Sequence, residues 1–112
     1  MIKTIALAHR KEGITREEYN RYWLEKHGPL AAKLMPYVKK YVQNHFIDVP
    51  GMEFEGDGIV ETWYDDVESW QKSMHAIRSN DELMKDGANF ARMASGRLWV
   101  VEEHVIMDKT GK

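Results

Sequence analysis

His27 closes the run Tyr22-Trp23-Leu24-Glu25-Lys26 and stands directly before Gly28-Pro29. Imidazole is the side chain that takes up and releases a proton near neutral pH, so a histidine held by fixed backbone can serve as a general base or acid. Gly28 can take a left-handed conformation that ends a helix, and Pro29 can open the next turn. The spacing therefore predicts a helix that breaks at His27 and aims the ring. A second reading stays open, in which His27 sits beside helix-terminal carbonyls and is favoured there by the macrodipole.

Other residues could join it. Tyr41, Asn44 and His45 lie in the stretch Lys40-Tyr41-Val42-Gln43-Asn44-His45. Alternation sends Asn44 and His45 to opposite faces of a strand. Val38, Val42 and Phe46 share the parity of Asn44, which turns Asn44 toward the helices and leaves His45 with Tyr41 on the other face. Glu61 reads as a carboxylate paired with Arg97 or His104, or as a buried one with a raised pKa. Asp86, Asn89 and Phe90 read as a capping and packing turn before the last strand, or Asp86 orients His27 or a substrate hydroxyl. His75 lies about 120° from the apolar stripe Val67, Trp70, Met74 and Ile77 at 100° per residue, so it is expected to be exposed or at a pocket edge. Glu102 and His104 share a strand face, but two such groups do not make a metal site, and no metal is expected.

The elements that must position these residues follow from periodicity. Residues 2–10 alternate as a strand, with Thr4, Ala6 and Ala8 on one parity and Ile5 and Leu7 on the other. Thr15 and Glu18 form a capping box, so a helix starts at Arg16. Its stripe is Tyr19, Tyr22, Trp23, Leu30, Ala31 and Leu34. Strands follow at 39–47 and 58–64, where Thr62 and Tyr64 share a face. Asp65 or Asp66 caps a second helix. Residues 78–93 add one or two helical turns, interrupted near Gly87. Residues 97–107 make the last strand. The order β-α-β-β-α-β is the ferredoxin-like pattern, an α+β sandwich with both helices on one sheet face. The other face would expose Ile5, Leu7, Tyr41 and Trp63. A second copy would cover it, giving a homodimer.

Composition narrows the classes of function. The chain has 112 residues, a length that fits one domain over residues 1–112. Sixteen basic residues against eighteen acidic ones give a net charge of −2, with no field for a phosphate backbone, so no nucleic acid partner is expected. There is no cysteine, which removes disulfides, thiol nucleophiles and thiolate metal sites. No segment is long and apolar enough for a membrane span or a signal peptide, and the expectation is a cytoplasmic protein with no membrane partner. No phosphate-binding glycine loop occurs, and no cofactor is expected.

Four segments carry a resemblance: residues 16–34, the strand 40–45, the run 58–70 and the segment 84–90. In this order and spacing the chain resembles the EthD family, whose members are dimeric α+β barrels. The resemblance implies a pocket between each protomer's sheet and its helices. It matches His27 to the family's histidine, Tyr41, Asn44 and His45 to its strand motif, and Asp86, Asn89 and Phe90 to its later motif. Small side chains at Thr4, Ala6 and Ala8 leave room for such a pocket.

The leading expectation is a cofactor-independent enzyme that moves protons on a hydrophobic, oxygenated substrate. Lactones and polyketide-like aromatics fit, through isomerisation, cyclisation or dehydration. His27 and Asp86 are the expected catalytic residues. Tyr22, Trp23, Tyr41, Asn44, His45, Thr62, Tyr64 and Phe90 are the expected substrate contacts. Two alternatives stand beside it. One is a haem-degrading or quinone-forming monooxygenase, suggested by Trp63 or Trp70 near His75. The other is a non-catalytic dimer that binds a small ligand.

Overall fold

The structure is a computed structural model that describes residues 1–92 and 96–111. Four strands, β1 (Ile2–Ala8), β2 (Lys40–His45), β3 (Gly58–Tyr64) and β4 (Leu98–Val101), form one antiparallel sheet in the order β2-β3-β1-β4. The first crossover carries α1 (Arg16–Tyr22), a π turn (Trp23–His27) and α2 (Gly28–Leu34). The second carries α3 (Val67–Arg78) and α4 (Asp81–Phe90). This is the ferredoxin-like α+β arrangement. Its order is what two crossovers on one sheet face produce.

Helices α1, α3 and α4 each start where a side-chain oxygen meets free amides. Thr15 accepts from the Glu18 amide at 3.0 Å, and Glu18 returns a bond to the Thr15 amide at 2.9 Å. Asp66 caps α3 through the Ser69 amide, and Asn80 caps α4 through the Leu83 amide. These bonds satisfy donors that a helix N-terminus otherwise leaves open.

The predicted break at His27 does not occur. Gly28 is right-handed helical, with φ −56° and ψ −54°. The chain passes through it as one helix with a wide turn, whose Gly28 amide donates to the Trp23 carbonyl. Pro29 explains the wide turn. In a regular helix its ring would meet the carbonyl of Glu25 and its missing N–H would leave that carbonyl open. A π turn relieves the crowding. Gly28 is glycine because of packing rather than chain reversal. A Cβ there would lie 2.6 Å from Gln43 Nε2 and 2.9 Å from the Trp23 carbonyl oxygen.

The core lies where the two crossovers meet the sheet. Tyr19, Trp23 and Phe90 are buried together against Ala8 and Val60. Tyr19 stacks on Phe90 with centroids 5.1 Å apart and tilts against Trp23 at 5.5 Å. Such pairs contribute about 0.5–1.5 kcal/mol each beyond the area they bury.

Register corrects the expected facing of β2. Tyr41 pairs with Thr62, which pairs with Thr4, and these three share the helix-side face. His45 lies opposite Gly58 on that same face. The indole of Trp23 covers Gly58, where a Cβ would meet it at 2.7 Å, and stacks on His45 at 4.6 Å with the rings 7° from parallel. So Tyr41 and His45 face the helices, while Asn44 is exposed on the outer face. Asn44 there donates to Glu61 Oε1 at 2.9 Å and to the Ile59 carbonyl at 3.0 Å. Parity with apolar neighbours misled because Val42 belongs to the outer face as well.

Two further expectations change. α4 runs unbroken through Gly87, which is buried. β4 ends at Val101 instead of reaching Met107, because Val101 already pairs with Lys3 and β1 has almost no residues left to continue the ladder. The part of residues 78–93 that falls on Met93 lies outside the described residues.

Candidate active site

The sheet face of Thr4, Ala6 and Ala8 and the helices above it line an open-sided cavity of about 270 Å³. Small side chains on β1 make the space. Tyr41, Thr62 and Tyr64 continue the floor, Met74 and Ile77 of α3 form one wall, and His27, Trp23 and Phe90 form the other. The lining is mostly apolar with a few converging polar groups, the usual character of a small-molecule site.

His27 is fixed from behind. Its Nδ1 lies 2.8 Å from Asp86 Oδ2, with both side chains less than a fifth exposed. A carboxylate only accepts, so Nδ1 carries the proton and Nε2 is the nitrogen left for a ligand. The ring also packs on Phe90 at 4.9 Å. Asp86 is held in turn. Tyr22 donates to its Oδ1 at 2.6 Å, and Asn89 Nδ2 donates to the Tyr22 hydroxyl at 3.2 Å. The bond to Asp86 raises the Tyr22 hydroxyl above the ordinary phenol range, partly offset by Asn89. Asp86, Asn89 and Phe90 sit three and four residues apart on α4, so one helix face carries them all.

The structure therefore brings together many of the residues singled out from sequence, in altered places. Trp23, Tyr41, Thr62, Tyr64, Phe90 and His27 line the cavity. Tyr22 and Asp86 stand behind His27 rather than in the wall. His45 stacks on Trp23 outside the lining, and burial lowers its pKa. Asn44 lies across the sheet from the cavity and contacts no lining group.

Glu61 is paired, though not with Arg97 or His104. Lys3 Nζ lies 2.6 Å from Glu61 and 2.7 Å from Glu103 on the outer face. Its bond to Lys3, with help from Asn44, lowers the Glu61 pKa, which overturns the raised-carboxylate reading. Arg97 pairs with Glu55, and His104 with Glu102 at the surface. His75 is exposed and lies outside the cavity, and Trp63 is on the opposite sheet face under Lys3 and Lys40. Among the described residues no group of three His, Asp or Glu side chains could hold a metal ion, and no helix is long and apolar enough to cross a membrane.

Sequence reasoning passed over two residues. Gln43 shares the parity of Tyr41 and His45, and its amide joins the Trp23 carbonyl, Tyr41 and His45. Asp57 is buried and accepts from the Arg10 amide at 2.8 Å, from the Arg10 guanidinium at 3.1 Å and from Arg16 Nε at 3.1 Å. It ties the approach to β3 to the end of β1 and the start of α1. Parity could have found Gln43. No local signal marks Asp57 within its glycine-rich loop.

Comparison with known proteins agrees with this fold. The family model of the EthD domain matches residues 11–94. A crystal structure of an ethyl tert-butyl ether D (EthD) family protein from Bacillus halodurans superposes with a TM-score of 0.68 at 28% identity, covering 93% of this chain and 99% of that one. An EthD-like protein from Ralstonia eutropha gives 0.68 at 18% identity, covering 99% and 96%. A protein from Bacteroides fragilis, described as dimeric, of unknown function and of ferredoxin-like fold, gives 0.54 at 15% identity, covering 89% and 91%. No curated protein sequence matches the chain.

Proposed function

The chain belongs to the EthD family, and from that premise we propose that it is a small enzyme that moves protons on a hydrophobic, oxygenated ligand. One observation carries the reading: an imidazole backed by a carboxylate forms part of the wall of an apolar cavity. His27 Nε2 takes a proton from a carbon beside a carbonyl, and Asp86 stabilises the imidazolium that forms. Return of the proton to a different carbon gives isomerisation. Attack of the carbanion on a second carbonyl, with the proton passed to the oxygen so formed, gives cyclisation. Delivery of the proton to a hydroxyl whose C–O bond breaks gives dehydration with loss of water. Lactones and polyketide-like aromatics suit the lining. The cavity is at the small end of the range for ligand pockets, which favours compounds of one or two rings.

Proton abstraction can be tested before the natural substrate is known. Enolisable aryl ketones and lactones are incubated with the protein in heavy water, and deuterium uptake is followed by NMR. Wild type should exchange α-protons faster than buffer, and His27→Ala should return to the buffer rate. Tight binding without exchange across the panel would instead mark a ligand carrier. Equal exchange by His27→Ala would remove the role given to that residue.

The same reading includes a homodimer. Ile5, Leu7, Trp63 and Trp99 share the outer sheet face, and Trp99 is 49% exposed. Beyond β4, Val105, Ile106 and Met107 are also exposed. A second copy laid sheet on sheet would cover both regions. Sedimentation should give the mass of a dimer, and Trp99→Glu should shift it toward the monomer. A monomeric wild type at high concentration would reject this assembly.

A further inference from the structure

Proton positions around Gln43 follow from one obligatory acceptor. The Trp23 carbonyl oxygen has no proton to give, so the Gln43 atom 2.9 Å from it must be the amide nitrogen. That nitrogen also lies 3.0 Å from the Tyr41 hydroxyl, and its second proton points there. The amide oxygen is then left to accept from His45 Nε2 at 2.8 Å. Both amide protons are used, and Tyr41 receives one of them. The tyrosine's own proton is therefore directed elsewhere, and no acceptor among the described residues takes it. Tyr41 lines the cavity.

We propose that the Tyr41 hydroxyl donates to a carbonyl oxygen of the bound ligand, so that the site selects compounds with a carbonyl beside an acidic C–H. The proposal rests on the reading of this cavity as a ligand site and adds its polarity. The floor supplies donors. Beside Tyr41, the Thr4 and Thr62 hydroxyls lie 2.5 Å apart, so one donates to the other and one proton remains over. The opposite wall supplies an acceptor, His27 Nε2. Burial raises the Tyr41 pKa, partly offset by Gln43 and Trp23, which keeps the phenol neutral and able to donate. As His27 takes the proton, the C–H bond breaks and its electron pair moves toward the carbonyl. The negative charge collects on the oxygen that Tyr41 holds. A donor placed at that oxygen strengthens its bond as charge develops.

The probe is acetophenone labelled with ¹³C at its carbonyl. Its stretching frequency is read by infrared difference spectroscopy, and deuterium uptake at its methyl group by NMR. In wild type the bound carbonyl band should lie below its position in hexane. In Tyr41→Phe it should return to the hexane position, and exchange should fall roughly 100-fold. Gln43→Glu keeps the phenol but replaces the amide donor by an acceptor, which draws the tyrosine proton away from the cavity. It should lose the band shift too with Tyr41 still present, and denaturant unfolding should show that the domain tolerates the lost bond to the Trp23 carbonyl. A shifted band that survives both substitutions overturns the proposal, as does a wild-type protein that does not bind the ketone. A shifted band lost in Tyr41→Phe, together with no exchange in wild type, upholds the donor and rejects the catalytic role of His27. The two ideas therefore fail separately.

Discussion

His27 and His45 flank the same aromatic cluster and are prepared for opposite tasks. His27 packs on Phe90 and gives its Nδ1 proton to Asp86, leaving Nε2 open at a cavity. His45 lies flat on Trp23 and gives its Nε2 proton to the Gln43 amide, and burial disfavours its charged form. The ring is the same in both places. The partner decides which nitrogen is bare and whether it meets a ligand or the protein. A carboxylate behind an imidazole stabilises added charge, whereas a neutral amide offers no countercharge and burial works against one.

The sharpest way to break this comparison is to exchange each histidine for glutamine. His27→Gln should reduce α-proton exchange by at least about 100-fold, the usual contribution of a general base. His45→Gln should leave exchange within a few-fold of wild type. Equal losses would mean that the two rings form one functional unit. Long-range ¹H–¹⁵N spectra sharpen the same point by reporting the tautomers directly. Nδ1–H is expected for His27 and Nε2–H for His45, and matching patterns would contradict the partners assigned to them.

Stability should follow the cluster that both rings lean on. Trp23 is buried against Tyr19, His45 and Gly58, so Trp23→Ala should cost about 3–5 kcal/mol in denaturant unfolding. A loss below about 1 kcal/mol would mean that the stack carries little of the core. Gly28→Ala should cost about 1–3 kcal/mol, since its methyl would press on Gln43 and the Trp23 carbonyl. It should also disturb the His45 tautomer signal, because Gln43 would have to move.

The smallest expected effect is the pH dependence contributed by His45. Its folded pKa is depressed by burial, so the unfolded chain binds the extra proton first as pH falls. Stability should therefore drop as pH goes down from the ordinary histidine value toward the folded one, and hold level above that window. His45→Phe should flatten this part of the profile. An unchanged profile would assign it to other groups. The Glu61–Lys3 pair acts at lower pH, because its lowered carboxylate pKa keeps its contribution until acid protonates it.

Much of the fold could be read along the chain. Thr15 with Glu18, and Asp66 before Val67, mark helix starts through local bonds of a few residues. Alternation placed Thr4, Ala6 and Ala8 on one face. These are short-range relations, and backbone geometry alone enforces them. Residue type also named His27 as a candidate for proton transfer, and the family resemblance added Asp86.

The rest needed three dimensions. Which way β2 turns was decided by the Trp23 ring over Gly58, a contact between segments far apart in sequence. Pro29 opened the wide turn locally, but the close fit at Gly28 was decided by Gln43 of β2, whose amide adds a second bond to the carbonyl at the head of that turn. Glu61 took its partner from β1, and Asp57 took both of its arginines from the end of β1 and the start of α1, more than forty residues away in sequence. The bond between His27 and Asp86 likewise spans the two crossovers. In this chain local pattern determined the elements and the chemistry on offer. Packing between distant segments determined which atoms of those residues were left free, because a side chain's remaining donor or acceptor depends on every partner it has already met.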